Sequence, residues 1–274
     1  MAFSFLDNAP PEKEFAREKF PLVIVAENRG ATTVPAGELK LILSGAKDWG
    51  LDSKAPISDP KSNIRRNTAP LEGRQITLVG TVTPGTKEEL DYGEILFNKA
   101  QPAEEEEKPI ILEACYTYQT ILQAPLCAAT RGGTCEPTAP KTFYSSSAPV
   151  QVTEYKQLSA KKVADNKFDL KFSFKIKNAA SGGRLGGLDC EDTFAVNRGH
   201  IHHTQLSFPG TPGPVNYICR PDFSDITLSD QDTEVTCTIQ NVDITQNAEE
   251  PLVLKFDYVY TETVKTSIII IPTK

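Results

Sequence analysis

All three histidines of the chain fall in one tetrapeptide, His200-Ile201-His202-His203. On an extended strand side chains alternate between faces, so His200 and His202 share one face and His203 takes the other. Two imidazoles on one face can meet a single metal ion, with Asp189, Glu191 or Asp192 as further ligands. The spacing matches no catalytic metal motif, so any ion held here is expected to be structural, and a plain polar strand face would look the same. Gly182-Gly183-Arg184-Leu185-Gly186-Gly187 resembles a phosphate-cradling loop only in its glycines. It lacks the terminal Lys-Ser/Thr, and no helix follows to receive a phosphate, so a flexible turn is the expectation. No GxSxG elbow and no recognisable pair of carboxylates occurs, and the chain reads as a non-enzyme that needs no cofactor.

The elements that position these residues are strands. Twenty prolines and 17 glycines separate many short runs of Val, Ile, Leu, Phe, Tyr and Thr, and no long 3.6-residue periodicity is present. Leu170, Phe172, Phe174 and Ile176 alternate with Lys171, Ser173, Lys175 and Lys177, the pattern of a strand with one buried face. Tyr116/Tyr118 and Tyr258/Tyr260 alternate likewise and are read as sheet packing rather than a sugar-stacking platform.

The chain also echoes itself. Pro109-Ile110-Ile111-Leu112-Glu113-Ala114-Cys115-Tyr116-Thr117-Tyr118 is matched by Pro251-Leu252-Val253-Leu254-Lys255-Phe256-Asp257-Tyr258-Val259-Tyr260, each after a glutamate run. Val23-Ile24-Val25-Ala26-Glu27-Asn28 and Phe174-Lys175-Ile176-Lys177-Asn178 both stop at Asn. Two similar halves follow from this. The reading is an all-β chain of two tandem immunoglobulin-like β-sandwich domains, residues 20–146 and 147–274, joined by a Cys-containing hairpin and linker and preceded by an extended arm, residues 1–19.

Net charge is −7 and no compact Lys/Arg stripe exists, which argues against a nucleic-acid partner. The longest apolar run, Ile268-Ile269-Ile270-Ile271, is far short of the roughly 20 residues of a membrane span. An even set of cysteines without a CxxC pair points to disulfides and an oxidising compartment, against the alternative of buried free thiols. Cys127 and Cys135 flank a turn and suit a stapled hairpin, Cys219 and Cys237 suit neighbouring strands, and Cys115 and Cys190 remain as a link between halves. Six cysteines nevertheless allow about fifteen pairings. No secretory leader is visible, so an extracellular or cell-surface location requires that this be the mature chain.

Leu22 to Val25 and Ile268 to Ile271 are apolar at every position, and the second face of each must be covered. Packing inside the chain is one explanation; burial against another copy is the other. The arm, with Phe3, Phe5 and Leu6, suits the second, because a detached alternating segment can add itself to a neighbour's sheet edge. The long polar stretch from Gly45 to Gly73, carrying Trp49, Arg65 and Arg66, is a candidate binding loop for a glycan or protein.

The stretches Phe20 to Gly30 and Gly37 to Gly45, with the second-half echo at Phe172 to Asn178, resemble the opening strands of CARDB-like and related immunoglobulin-like repeats. With Phe3 to Pro11 and Ala114 to Tyr118, the chain is similar to uncharacterised archaeal cell-surface proteins. That resemblance implies a structural or adhesive role. The expectation is an extracellular subunit that forms a homo-oligomer, filament or surface array by donating its N-terminal strand, with a cell-surface adhesion module as the alternative.

Overall fold

The computed structural model describes residues 1–51, 59, 61–76, 82–99, 102–128, 135–180, 182–186, 189–190, 201–208, 215–226, 232–244 and 248–273. Among them there is no α-helix, and the one helical element is the 3-10 turn Phe223–Asp225, capped by the Asp222 side chain. The chain is all-β, as its patterning predicts. In order the strands are β1 (Ala2–Phe5), β2 (Lys13–Phe15), β3 (Lys19–Glu27), β4 (Leu39–Leu43), β5 (Ile64–Arg66), β6 (Gln75–Ile76), β7 (Val82–Thr83), β8 (Lys87–Leu96) and β9 (Glu106–Ala128). There follow β10 (Tyr144–Ser145), β11 (Val150–Ala164), β12 (Lys167–Asn178), β13 (Arg184–Leu185), β14 (Ile201–Ser207), β15 (Tyr217–Arg220), β16 (Thr233–Asp243) and β17 (Ala248–Ile271).

The chain folds into two compact units, unit 1 from Met1–Thr117 with Thr261–Lys274, and unit 2 from Tyr118–Tyr260. These boundaries differ from the expected division at 146/147. They fall inside strands, because β9 and β17 each serve both units. Where a Cys-containing hairpin is expected to join the halves, β9 continues as one strand to Ala128. At the end of the chain, β17 is likewise one continuous strand from Ala248 to Ile271.

In unit 1 one sheet has the order β1-β3-β8. The other places β4 between β5 and β9, with β17 next to β9 and β2 parallel to β17. Side chains join the two layers into a β-sandwich. The Tyr92 hydroxyl on β8 donates to the Leu41 carbonyl on β4 at 2.8 Å, and the Phe3 ring on β1 meets Tyr116 on β9 at 6.3 Å. In unit 2 the sheet β11-β12-β16-β15 faces β14, β17, β9 and β10. Phe174 on β12 meets Phe256 on β17 at 5.7 Å, and both are buried. Tyr155 on β11 donates to the Pro125 carbonyl on β9 at 3.2 Å.

Five strands of unit 2 pair as five strands of unit 1 do. β3 lies between β1 and β8, and β12 between β11 and β16, all antiparallel. β4 pairs antiparallel with β9, and β14 with β17. The segment after β4 differs, since β5 pairs with β4 whereas β15 pairs with β16.

The two strand-ending asparagines have the same task. Buried Asn28 donates from Nδ2 to the carbonyls of Thr32 and Leu71 at 2.7 and 2.8 Å, and its Oδ1 accepts from the Gly30 amide at 3.1 Å. Asn178 donates to the Gly183 carbonyl and accepts from the Tyr260 hydroxyl, both at 2.6 Å. Each amide satisfies polar groups of the loop that leaves its strand, which would otherwise be desolvated without partners. Asn28→Ala is expected to lower stability by about 2–4 kcal/mol, and Asn178→Ala by a comparable amount. Urea denaturation measures both; losses below about 0.5 kcal/mol would show that these amides do not hold the loops.

Candidate functional site

The N-terminal arm, the segment expected to add itself to a neighbour, is bound in cis. Ala2, Phe3, Ser4 and Phe5 of β1 pair with Glu27, Ala26, Val25 and Ile24 of β3. The chain then turns through the Leu6–Ala9 bridge, with Asn8 at φ 60°, and β2 pairs with Ile269 to Ile271 of β17. The expectation of a detached arm is therefore corrected. Phe3 and Phe5 are half-buried, while Leu6 and Phe15 are 38% and 47% exposed.

This pairing also accounts for much of the over-apolar sequence. Leu22, Ile24, Ile268 and Ile270 point into the core, while Val23, Val25, Ile269 and Ile271 on the opposite faces are half-buried beside the arm strands. Beneath the arm, the Tyr116 hydroxyl donates to Glu262 Oε1 at 2.9 Å. Burial raises the Glu262 carboxyl above its ordinary value, against the pull of the Tyr116 hydrogen bond and the Met1 ammonium.

The candidate binding loop is built for support. Trp49 is buried, its ring edge-on to Phe20 at 6.1 Å and to Phe97 at 5.6 Å. Arg65 donates to the carbonyls of Asp91 at 2.6 Å, Tyr92 at 3.3 Å and Ser62 at 2.8 Å, and its guanidinium lies 4.7 Å from the Tyr92 ring centre. Arg66 donates to the Gly37 carbonyl at 2.7 Å. An aromatic and two cations in a polar stretch look like a ligand site in sequence; here the indole fills the core and the guanidiniums satisfy backbone carbonyls. Residues 52–58 and 60 of that stretch lie outside the described residues.

All six cysteines are disulfide-bonded. Cys127–Cys135 closes a short loop, and Cys219–Cys237 joins residues directly opposite on β15 and β16. Cys115 and Cys190 are oxidised as well. His200 lies outside the described residues, as do the side chains of His202 and His203. The pairing of β14 with β17 shifts register between Ile201 and His203. Among the described residues no group of three His, Cys, Asp or Glu side chains could hold a metal ion. Gly183 of the glycine run has a packing role, since a Cβ there would lie 2.3 Å from the Tyr260 ring.

One feature of unit 2 carried no sequence signal. An open cleft of about 720 Å³ is lined by Pro125, Cys135, Glu136, Pro140, Lys141 and Glu249 among others. Its lining includes the Lys141–Glu249 ion pair, with the lysine side chain only 6% exposed. The partners are 108 residues apart in sequence, which is why neither stands out when read along the chain.

No family model and no curated protein matches this chain. No helix among the described residues is long and apolar enough to cross a membrane. The geometry of the arm and its seat must therefore carry the functional reading.

Two measurements test these placements. Trp49→Ala is expected to cost about 3–5 kcal/mol of stability, as for a large aromatic removed from a core; a variant with unchanged stability would return Trp49 to the surface. Glu262 has a folded pKa raised above the ordinary 4.5, so its contribution is present in full below that value and is lost as pH rises through the folded pKa. Glu262→Gln should remove this loss and flatten the dependence of the urea midpoint on pH above about 4.5. An identical pH profile for the variant would refute the assignment.

Proposed function

We propose that the protein is an extracellular structural subunit of two immunoglobulin-like sandwich units that assembles with copies of itself into a filament or surface array through strand β1. The observation that carries this reading is the way β1 is held. It sits at the edge of a three-stranded sheet by four residue pairs, with its two phenylalanines half-buried and the next residue, Leu6, exposed. An edge strand so held can leave its own sheet and be replaced by the same strand of a neighbour, because the pairing given up in cis is restored in trans. Repeated from copy to copy, an exchange of this kind propagates; closed between two copies, it gives a dimer.

Disulfide bonding of every cysteine supports an oxidising compartment outside the cytosol. A second reading, a binding module for a glycan or protein, is favoured by the unit 2 cleft with the Lys141–Glu249 ion pair in its lining.

The test uses the full chain and a Phe3→Asp/Phe5→Asp variant, compared by sedimentation and negative-stain electron microscopy over rising concentration. Assembly of the parent chain, at least tenfold weakened in the variant, is the expected result. A parent chain that remains monomeric at high concentration, with a variant of equal stability, sinks the proposal. In that event binding of a glycan array by the parent, abolished by Glu249→Lys, would favour the cleft.

A further inference from the structure

We infer that this single chain is a strand-exchanged pair of half-chains, in which each unit is completed by a strand that the other half donates. The two halves repeat the same five strands in the same chain order, β1, β3, β4, β8, β9 and then β11, β12, β14, β16, β17. What neither half supplies to its own unit is the next strand beyond the last. In unit 1 the neighbour of β9 is the final stretch of β17, from Thr261 to Ile271. In unit 2 the neighbour of β17 is the final stretch of β9, from Tyr118 to Ala128. Each half thus runs its last strand out of its own unit and into the other.

The donated strands are interior ones. Tyr118–Ala128 lies between β17 and β10, and Thr261–Ile271 lies between β9 and β2. Leu122 and Leu126 of the first, and Ile268 of the second, are 0% exposed. Unit 2 also grips its donated strand by polar contacts. Gln157 of β11 holds Cys127 on both sides, accepting from its amide at 2.7 Å and donating to its carbonyl at 2.6 Å. The Thr120 hydroxyl donates to the Val150 carbonyl at 2.6 Å. Removing an edge strand leaves a sheet intact; removing an interior one exposes two rows of backbone polar groups and opens the core between layers. Neither half can therefore close a sandwich alone. The partner that each half fits is the other half, and the covalent connection through residues 136–143 is dispensable once both strands are seated.

The experiment cuts the native chain at a protease site inserted between Pro137 and Thr138, where the segment between β9 and β10 is partly exposed. The two fragments are separated in denaturant with reductant and refolded in a thiol–disulfide buffer from which the uncut chain recovers. Mixed in equal amounts, they are expected to give a 1:1 particle with the mass and cooperative unfolding of the parent, while neither alone gives a folded monomer. A stable folded monomer from either fragment overturns the inference. So does failure of the mixture to rebuild the particle. Residues 2–8 are not varied, so the outcome is independent of assembly through β1.

Discussion

Everything in this molecule depends on two strands that each have to satisfy two cores. β9 and β17 are 23 and 24 residues long, several times the usual strand, and each passes from one unit into the other. A strand buried in a sheet must pair its backbone on both sides and alternate its side chains correctly along its whole length. Over such a length a slip of one residue would invert the burial of both cores at once. The tyrosines near the crossing points are well suited to hold register. Tyr116 is fixed by Glu262, Tyr258 by Thr120 and Val150, and Tyr260 by Asn178, each hydroxyl bonded while its ring is buried.

Several polar side chains enter the interior of each unit by answering main-chain groups that would otherwise be stranded. Asn28, Asn67 and Gln157 are buried amides that donate to and accept from backbone. Arg65 likewise answers carbonyls from a half-buried position, and the Tyr92 ring beneath it offsets part of its desolvation. Such contacts give each loop one path over its sandwich, which apolar packing alone would leave less defined. The disulfides act in the same direction by limiting the unfolded chain.

The arm belongs to a different class of contact. Its strands lie at sheet edges, its phenylalanines are half-buried, and exposed carboxylates and lysines surround it, as in the Lys13–Glu105 pair at 3.1 Å. Exposed pairs of this kind contribute little, so the arm is held mainly by a short ladder and partial apolar burial. The arm's edge strands thus differ from the interior strands of β9 and β17, which are paired on both sides.

Much of this was legible in the sequence, because strand patterning is local. The alternation from Leu170 to Ile176, the pairing of Cys127 with Cys135, and the neighbouring-strand placement of Cys219 and Cys237 all depend on residues close in sequence or on a two-residue period. The echo of Pro109–Tyr118 in Pro251–Tyr260 was also visible. Its meaning was not, since a repeat in sequence says that two segments are alike without saying which core each one enters. Trp49, Arg65 and Arg66 show the same limit, since side-chain chemistry reads the same in sequence whether it faces a ligand or the protein's own carbonyls. Composition and period by themselves determined an all-β chain and an echo between its two halves. Only the tertiary structure decided that those halves trade their last strands, because strand partners are chosen by burial and hydrogen bonding between residues more than 130 positions apart.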